Sequence, residues 1–195
     1  MSYDIYLIDQ ISEETIKLPI RHLMIGGTYR ADYKSETKTS TPAAIADAWL
    51  NITYNYARYY YEAAENDERF YGVGDYREKK HRNLGIRGIY GKTGMESLPM
   101  LDDMIARIEM KYKKNGEWIS TKRVNKIYRD SDGNTCHMPD VFLHKEKYTE
   151  EEIETEVWEG PNDDYWMSTA ANALKPLYQL RVFAGLRPDG VWKGD

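Results

Sequence analysis

The sequence contains a single cysteine, Cys136, among its 195 residues. One thiol cannot form a disulfide within the chain, which excludes the class of small secreted proteins held together by disulfides. The N-terminus, MSYDIYLID, also lacks the basic region and apolar stretch of a secretory signal. A lone thiol fits a reducing compartment, so these features predict a cytosolic protein.

Long hydrophobic runs and an excess of positive charge are missing as well. No apolar run approaches the roughly 20 residues that span a bilayer, so we expect no membrane partner. The net charge of −5 disfavours a generally basic surface for nucleic acid. With 41% hydrophobic and 30% charged residues, the composition is typical of one folded globular domain.

Motifs of several enzyme classes are absent too. The sequence has no G-x-S-x-G nucleophile turn, no H-E-x-x-H and no paired cysteines for zinc. The nearest set of metal ligands is Cys136, His137 and His144 with Asp140, but adjacent Cys and His rarely both bind one ion. We therefore predict no catalytic residues, no metal and no cofactor, although paired carboxylates acting as acid and base leave an enzyme open.

Tyrosine is what the sequence has in abundance, with 17 Tyr against 3 Phe. The side chain combines a large apolar ring with a polar tip, which suits interfaces and ligand sites. A core whose tyrosine hydroxyls lie at its rim explains the same composition. Composition alone leaves both interpretations open.

Periodicity in the first third of the chain predicts a β-hairpin followed by a long helix. Residues 3–9 and 14–18 are short β-prone runs separated by a polar break, which indicates an N-terminal hairpin. Thr41 before Pro42 is typical of a helix start. Apolar side chains then recur at three- and four-residue steps, which predicts an amphipathic helix over residues 42–65: Ile45, Trp49, Ile52, Tyr56, Tyr59, Tyr60 and Ala63.

Two further helices follow in the pattern. Thr93 and Glu96 have the spacing of a capping box, and an apolar face follows at Leu101, Met104, Ile105 and Ile108. Residues 168–185 predict a last helix with a kink or restart at Pro176. Beyond it, a Pro-Asp-Gly turn precedes Trp192, which we expect to pack back on the domain.

The charged segment between these helices reads as an inserted module. Lys and Arg cluster over residues 111–129, Asp132-Gly133 supplies a turn, and a Glu-rich run occupies residues 150–159. We predict a hairpin that returns through residues 141–143, with basic and acidic segments that face each other or keep the module soluble. The prediction is thus an α+β fold, with a core domain of residues 1–110 and 161–195 and an inserted hairpin module of residues 111–160.

The segment GIRGIYGKTG at residues 85–94 resembles a phosphate-binding loop. A Walker A loop needs a glycine five positions before its Gly-Lys-Thr, but Ile86 occupies that position, so the motif is out of register. Glycines and a cation still precede a helix start. The alternatives are an anion contact through Arg87, Lys92 and free backbone amides, or a glycine-rich connection with solvated cations.

A polar stripe on the predicted helix 42–65 gives a second candidate set. Asn51 and Asn55 lie one turn apart, with Tyr54 beside them. Asn is a poor helix former, so the pair destabilises a helix unless its amides have partners. A ligand or buried network would supply them, and the solvated face of an amphipathic helix is the alternative.

Four segments together resemble a family of small, uncharacterised phage and prophage proteins: GGTY at 26–29, AWLNITYNY at 48–56, GIRGIYGKTG at 85–94 and RPDGVW at 187–192. They cover well under half of the chain. The resemblance brings no established activity. It implies a viral protein in the host cytosol, where such accessory proteins counter host defence by binding a defence protein or by sequestering its nucleotide signal.

These observations favour non-enzymatic binding, or sequestration, of a small anionic, nucleotide-like ligand. Candidate phosphate contacts are Arg87, Lys92 and Thr93, candidate base or sugar contacts are Asn51, Asn55 and Tyr54, and candidate stacking residues are Tyr90 and Trp192. A protein-binding inhibitor of a host defence protein is the first alternative, and a phage enzyme acting on nucleotides is the second. Homo-oligomer formation stays open.

Overall fold

The computed structural model describes residues 2–18, 31–34, 39–42, 46–75, 78–136, 141 and 143–195. The predicted α+β class is confirmed by three α-helices and a set of small antiparallel sheets within these ranges. The GGTY segment at residues 26–29 and residues 137–140 of the metal-ligand set lie outside them. No helix in the described ranges is long and apolar enough to cross a membrane.

The central sheet joins the two ends of the chain. Strand β1, Ser2–Ile8, pairs antiparallel with β6, Trp49–Thr53, on one side and with β13, Val191–Gly194, on the other. Alternate β1 side chains, Tyr3, Ile5 and Leu7, are buried, as the period of two along a strand requires. One face of this sheet therefore contributes to the hydrophobic core.

The predicted N-terminal hairpin is present but short. After β1 the chain reverses, with the Asp9 amide donating to the Glu14 carbonyl at 3.0 Å and a single bridge between Ile8 and Thr15. The next strand, β2, Lys17–Leu18, then pairs with β5, Ala46–Asp47. A further two-stranded sheet joins β3, Ala31–Lys34, to β4, Thr39–Pro42.

The prediction of one helix over residues 42–65 is wrong. Thr41 and Pro42 end β4, residues 46–53 lie mainly in β5 and β6, and Tyr54–Tyr56 form a 3-10 turn. Only α1, Ala57–Ala63, is α-helical. The segment around β6 pairs with β1 as a strand, so its buried apolar side chains, Ala48, Leu50 and Ile52, follow a period of two.

Helix α2, Gly94–Tyr112, confirms the capping-box prediction. The Thr93 hydroxyl accepts a hydrogen bond from the Glu96 amide at 3.2 Å, and the Glu96 carboxylate accepts one from the Thr93 amide at 2.7 Å. The predicted apolar face, Leu101, Met104, Ile105 and Ile108, is buried. This helix packs against α3, Ala170–Leu186, which runs through Pro176 as one helix capped by Thr169.

Between α1 and α2 lie a short 3-10 turn, Glu68–Phe70, and the hairpin of β7, Tyr71–Asp75, and β8, Glu78–Asn83. A longer 3-10 helix, Gly85–Ile89, follows. Its Ile86 and Ile89 are buried in the core against α1. This arrangement places the hairpin, the 3-10 helix and the end of β13 side by side.

The predicted charged module is a two-stranded ribbon. After a small hairpin of β9, Lys113–Lys114, and β10, Glu117–Trp118, strand β11, Ser120–Arg129, pairs with β12, Thr149–Trp158. Basic and acidic side chains do face each other, with Lys122 bound to Glu154 at 2.6 Å and Arg129 to Glu151 at 2.7 Å. The predicted return through residues 141–143 is wrong, because the acidic run forms the return strand.

The base of the ribbon is tied to the core by a buried tyrosine and a buried ion pair. Tyr112 belongs to the main core cluster, and the Arg123 side chain bonds to buried Glu159 at 2.9 Å. Buried Val141, in the connection between the strands, does not belong to that cluster. The module boundaries at residues 111 and 160 stay a prediction. Because Tyr112, Arg123 and Glu159 connect the ribbon to the core, a deletion that tests the module should keep these residues.

We expect that replacing residues 124–154 by an Asn-Gly turn leaves a cooperatively folded protein. The change joins cross-strand partners Arg123 and Thr155 while keeping both Arg123 and Glu159. The exposed ion pairs that it removes contribute about 0.2–1 kcal/mol each. The melting temperature, followed by circular dichroism, should stay within about 5 °C of the parent value. Loss of the cooperative transition would show that the outer ribbon is part of the folding unit.

Candidate functional site

Segment 85–94 does not form a phosphate loop. A Cβ on Gly88 would lie 2.7 Å from Phe70 Cα, so this glycine allows close packing of the 3-10 helix. The predicted free amides are occupied: Gly85 donates to Asn83 Oδ1, and Gly91 to the Trp192 carbonyl. Five further backbone amides in the segment also donate to protein oxygens: those amides belong to Arg87, Tyr90, Lys92, Thr93 and Gly94. These seven amides are therefore not free to hold an anion.

A pocket of about 480 Å³ opens beside this segment. Three parts of the chain form it: the start of β7, the 3-10 helix with the residues that follow it, and the end of β13. Its lining consists of Arg69, Tyr71, Gly72, Val73, Leu84, Arg87, Gly88, Tyr90, Lys92, Gly194 and Asp195. This volume lies within the range of small-molecule sites, about 300–1,000 Å³.

Arg87 is held in place by tyrosine rings. Its guanidinium carbon lies 5.1 Å from the ring centroid of Tyr3 and 5.5 Å from that of Tyr54, and Nη2 donates to the Tyr54 hydroxyl. Nε is buried and has no hydrogen-bond partner. No described carboxylate forms an ion pair with Arg87, and the faces of the two tyrosine rings attract its charge.

Lys92 and Arg69 differ in how their charges are balanced. No described carboxylate forms an ion pair with half-buried Lys92. Arg69, by contrast, donates to Asp67 at 2.6 Å and to Asp103 at 2.5 Å. Arg87 and Lys92 are therefore the cations of the pocket that remain available for an anion.

Tyr90 also lines the pocket, but its hydroxyl oxygen is buried beneath the pocket surface. Its oxygen is buried near the Arg87 guanidinium but has no hydrogen bond of good geometry. Burial raises the pKa of Tyr90 well above its ordinary value, and the charge of Arg87 offsets this in part. The side chain therefore remains a neutral phenol. A buried polar group without a hydrogen bond lowers the stability of the fold, so its presence calls for an explanation.

Asp195 is the carboxylate of the lining. Its Oδ1 accepts a hydrogen bond from the Asp4 amide at 2.9 Å, so β1 holds it in place. Its Oδ2 has no hydrogen bond with any described group. The pocket thus combines two available cations with one carboxylate, over a surface that also includes Tyr71, Val73 and Leu84.

The structure brings together only part of the predicted site. Arg87, Tyr90 and Lys92 line the pocket, but Asn51 and Asn55 do not. The amide of Asn51 donates to Ser2 Oγ at 2.7 Å and Asp4 Oδ1 at 2.8 Å, and that of Asn55 donates to the Trp166 carbonyl at 2.8 Å. Both side-chain amides therefore have hydrogen-bond partners, as we expected, and these partners are groups of the protein itself.

The remaining predicted residues have structural contacts. Tyr54 supports Arg87 from behind, and the Thr93 hydroxyl caps α2. Trp192 is fully buried, so it cannot stack on a ligand, and the prediction that it packs back on the domain is confirmed. Arg69, Tyr71 and Asp195 were missed, because nothing in their local sequence indicates that they meet.

Comparison with family models, curated proteins and solved structures finds no significant match to this chain. The site must be interpreted from its own chemistry. The lining contains no Ser, Thr, Cys or His side chain to act as a nucleophile. Among the described residues, no group of three or more His, Cys, Asp or Glu side chains is placed to hold a metal ion.

Proposed function

We propose that this protein binds a small anionic ligand of nucleotide size and does not transform it. The observation that carries the proposal is the pair Arg87 and Lys92, which line a pocket of about 480 Å³ without a carboxylate partner. Unpaired cations at a concave site favour an anionic group, and phosphate is the common anionic group of ligands that fit a pocket of this volume.

The resemblance to phage proteins gives this binding a biological context. In the cytosol of an infected cell, sequestering a nucleotide signal would block a host defence that depends on it. Such a protein needs affinity and no catalytic step, and the lining has no Ser, Thr, Cys or His side chain. The bound ligand should therefore be recovered chemically intact after denaturation.

We expect the double variant Arg87→Ala, Lys92→Ala to bind nucleotides at least about a hundredfold more weakly than the parent, since each charge-assisted contact contributes about 1.5–3 kcal/mol. Isothermal titration calorimetry with a panel of linear and cyclic nucleotides measures this. The matched control is Lys122→Ala, Arg129→Ala, which removes the same charge from the ribbon. Equal losses in both variants would indicate a nonspecific charge effect.

Lys92→Ala alone separates binding from folding. Arg87 contacts Tyr3 and Tyr54, so its removal also disturbs packing, whereas no described side chain pairs with Lys92. The single variant should lose about tenfold in affinity with an unchanged melting temperature. If no nucleotide binds the parent protein, the proposed function is wrong.

Exposed tryptophans favour a protein partner as a second candidate function. Trp158, at the end of β12, and Trp166, in the connection to α3, are 53% and 61% exposed, and Met167 beside Trp166 is 43% exposed. Large exposed aromatic side chains are enriched at protein interfaces. An inhibitor of a host defence protein would lose its partner in Trp158→Ala, Trp166→Ala and keep it in the Arg87, Lys92 double variant. Co-precipitation from infected cells distinguishes the two candidates.

A further inference from the structure

We infer that the pocket selects a ligand with one phosphate group and free ribose hydroxyls, the class of a ribonucleoside monophosphate. This inference rests on the proposed function and narrows it. The observation behind it is the set of charges in the lining, which includes the cations Arg87 and Lys92 and the side-chain carboxylate of Asp195. The fourth charged residue, Arg69, is already neutralised by Asp67 and Asp103.

Two available cations match the charge of a single phosphate. A phosphate monoester carries about −1.5 to −2 at neutral pH, as phosphorylated side chains do. A triphosphate brings further negative charges into a pocket that also contains the Asp195 carboxylate. Like charges in one cleft repel, so a longer phosphate chain binds more weakly.

Asp195 suits hydroxyl donors. Its Oδ1 is held by the Asp4 amide, and its Oδ2 has no described partner, which leaves an oriented acceptor at the pocket. A carboxylate that accepts hydrogen bonds from ribose hydroxyls is a recurrent device in nucleotide sites. The cations then hold the phosphate while Asp195 holds the sugar.

The lining also provides a surface for a ring. Tyr71, Val73 and Leu84 lie on the same pocket, and the Tyr71 ring stacks on His81 with a centroid distance of 5.9 Å. Aromatic rings supply stacking surface that accepts any base. The phosphate and the sugar hydroxyls therefore determine selection, and base identity contributes less.

The test is calorimetry with the four common ribonucleoside monophosphates, the matching triphosphates, the 2′,3′-dideoxy monophosphates and inorganic phosphate. We expect at least one monophosphate to bind about tenfold more tightly than its triphosphate and about tenfold more tightly than its dideoxy form, the effect of one charged hydrogen bond. Inorganic phosphate should bind more weakly, in a manner that depends on Arg87 and Lys92.

Asp195→Asn tests the assigned contact, because asparagine keeps an oxygen for the Asp4 amide and removes the charge. The variant should gain affinity for triphosphates and lose its preference for ribose over the dideoxy sugar. A parent protein that prefers triphosphates, or a variant that changes every affinity by the same factor, would overturn the inference and leave the proposed function standing. If no probe binds, inorganic phosphate included, both are overturned.

Discussion

Replacing Glu159 by glutamine is expected to lower the free energy of unfolding by about 3–5 kcal/mol, the cost of removing one partner from a buried ion pair. Glu159 is fully buried at the junction of the ribbon, α1 and α3. Its Oε1 accepts from Arg123 at 2.9 Å and from the Thr121 hydroxyl. Its Oε2 accepts from the Tyr59 hydroxyl at 2.6 Å and from the Ala170 amide at 2.9 Å.

Glutamine cannot reproduce this pattern, although its shape is the same. Arg123 and the Ala170 amide are obligatory donors on opposite oxygens. Whichever way the new amide is turned, its NH₂ group faces one of them, and the Arg123 charge also loses its counterion. The melting temperature should fall by about 10 °C or more.

The matched control is Glu154→Gln on strand β12. Glu154 is exposed and pairs with Lys122 at 2.6 Å, so this change should cost less than about 1 kcal/mol. Urea unfolding followed by tryptophan fluorescence measures both variants. Similar losses for the two would mean that Glu159 does not hold the ribbon to the core.

Acid should reduce the difference between the parent protein and Glu159→Gln. Burial raises the pKa of Glu159, but hydrogen bonds from Thr121, Tyr59 and Arg123 lower it by more, so the pKa lies below its ordinary value. A carboxyl group with a depressed native pKa stabilises the fold above its unfolded pKa of about 4.3 and loses that contribution as the pH falls through the native value. A difference that stays constant from pH 7 to pH 3 would contradict the ionised assignment.

Helix α2 could be predicted because its signals are local. Thr93 and Glu96 bond to each other's backbone within one turn, and the apolar positions follow the helix period. The region before α1 was mistaken for helix because Trp49, Ile52 and Tyr56 also fit that period. What decides the local structure there is β1, about 45 residues earlier in the chain, and such long-range pairing leaves little local signal.

The residues of the candidate site also differ in whether local sequence could predict them. Arg87, Tyr90 and Lys92 share one segment and were found together. Arg69 and Asp195 reach the pocket only because β13 pairs with β1 and the β7 hairpin lies beside the 3-10 helix. Trp192 contributes by anchoring β13, which makes it the other position where a single change should have a large effect.

Trp192→Ala is expected to lower the free energy of unfolding by about 3–5 kcal/mol. The side chain is fully buried, and its Nε1 donates to Ser97 Oγ at 2.7 Å, which fixes β13 to α2. Alanine leaves a large cavity between strand and helix and removes one of the two hydrogen-bond partners of the buried Ser97 hydroxyl. Chemical denaturation measures the loss.

Two comparison variants divide this loss into its causes. Trp192→Phe keeps most of the apolar volume and removes the hydrogen bond to Ser97, so it should cost about 1–3 kcal/mol. Trp166→Ala removes a tryptophan that is 61% exposed, and it should cost less than about 1 kcal/mol. Because Trp192 holds the strand that carries Gly194 and Asp195, the alanine variant should also bind phosphate more weakly at temperatures where it is folded. Unchanged stability in Trp192→Ala would mean that β13 is not anchored by this side chain.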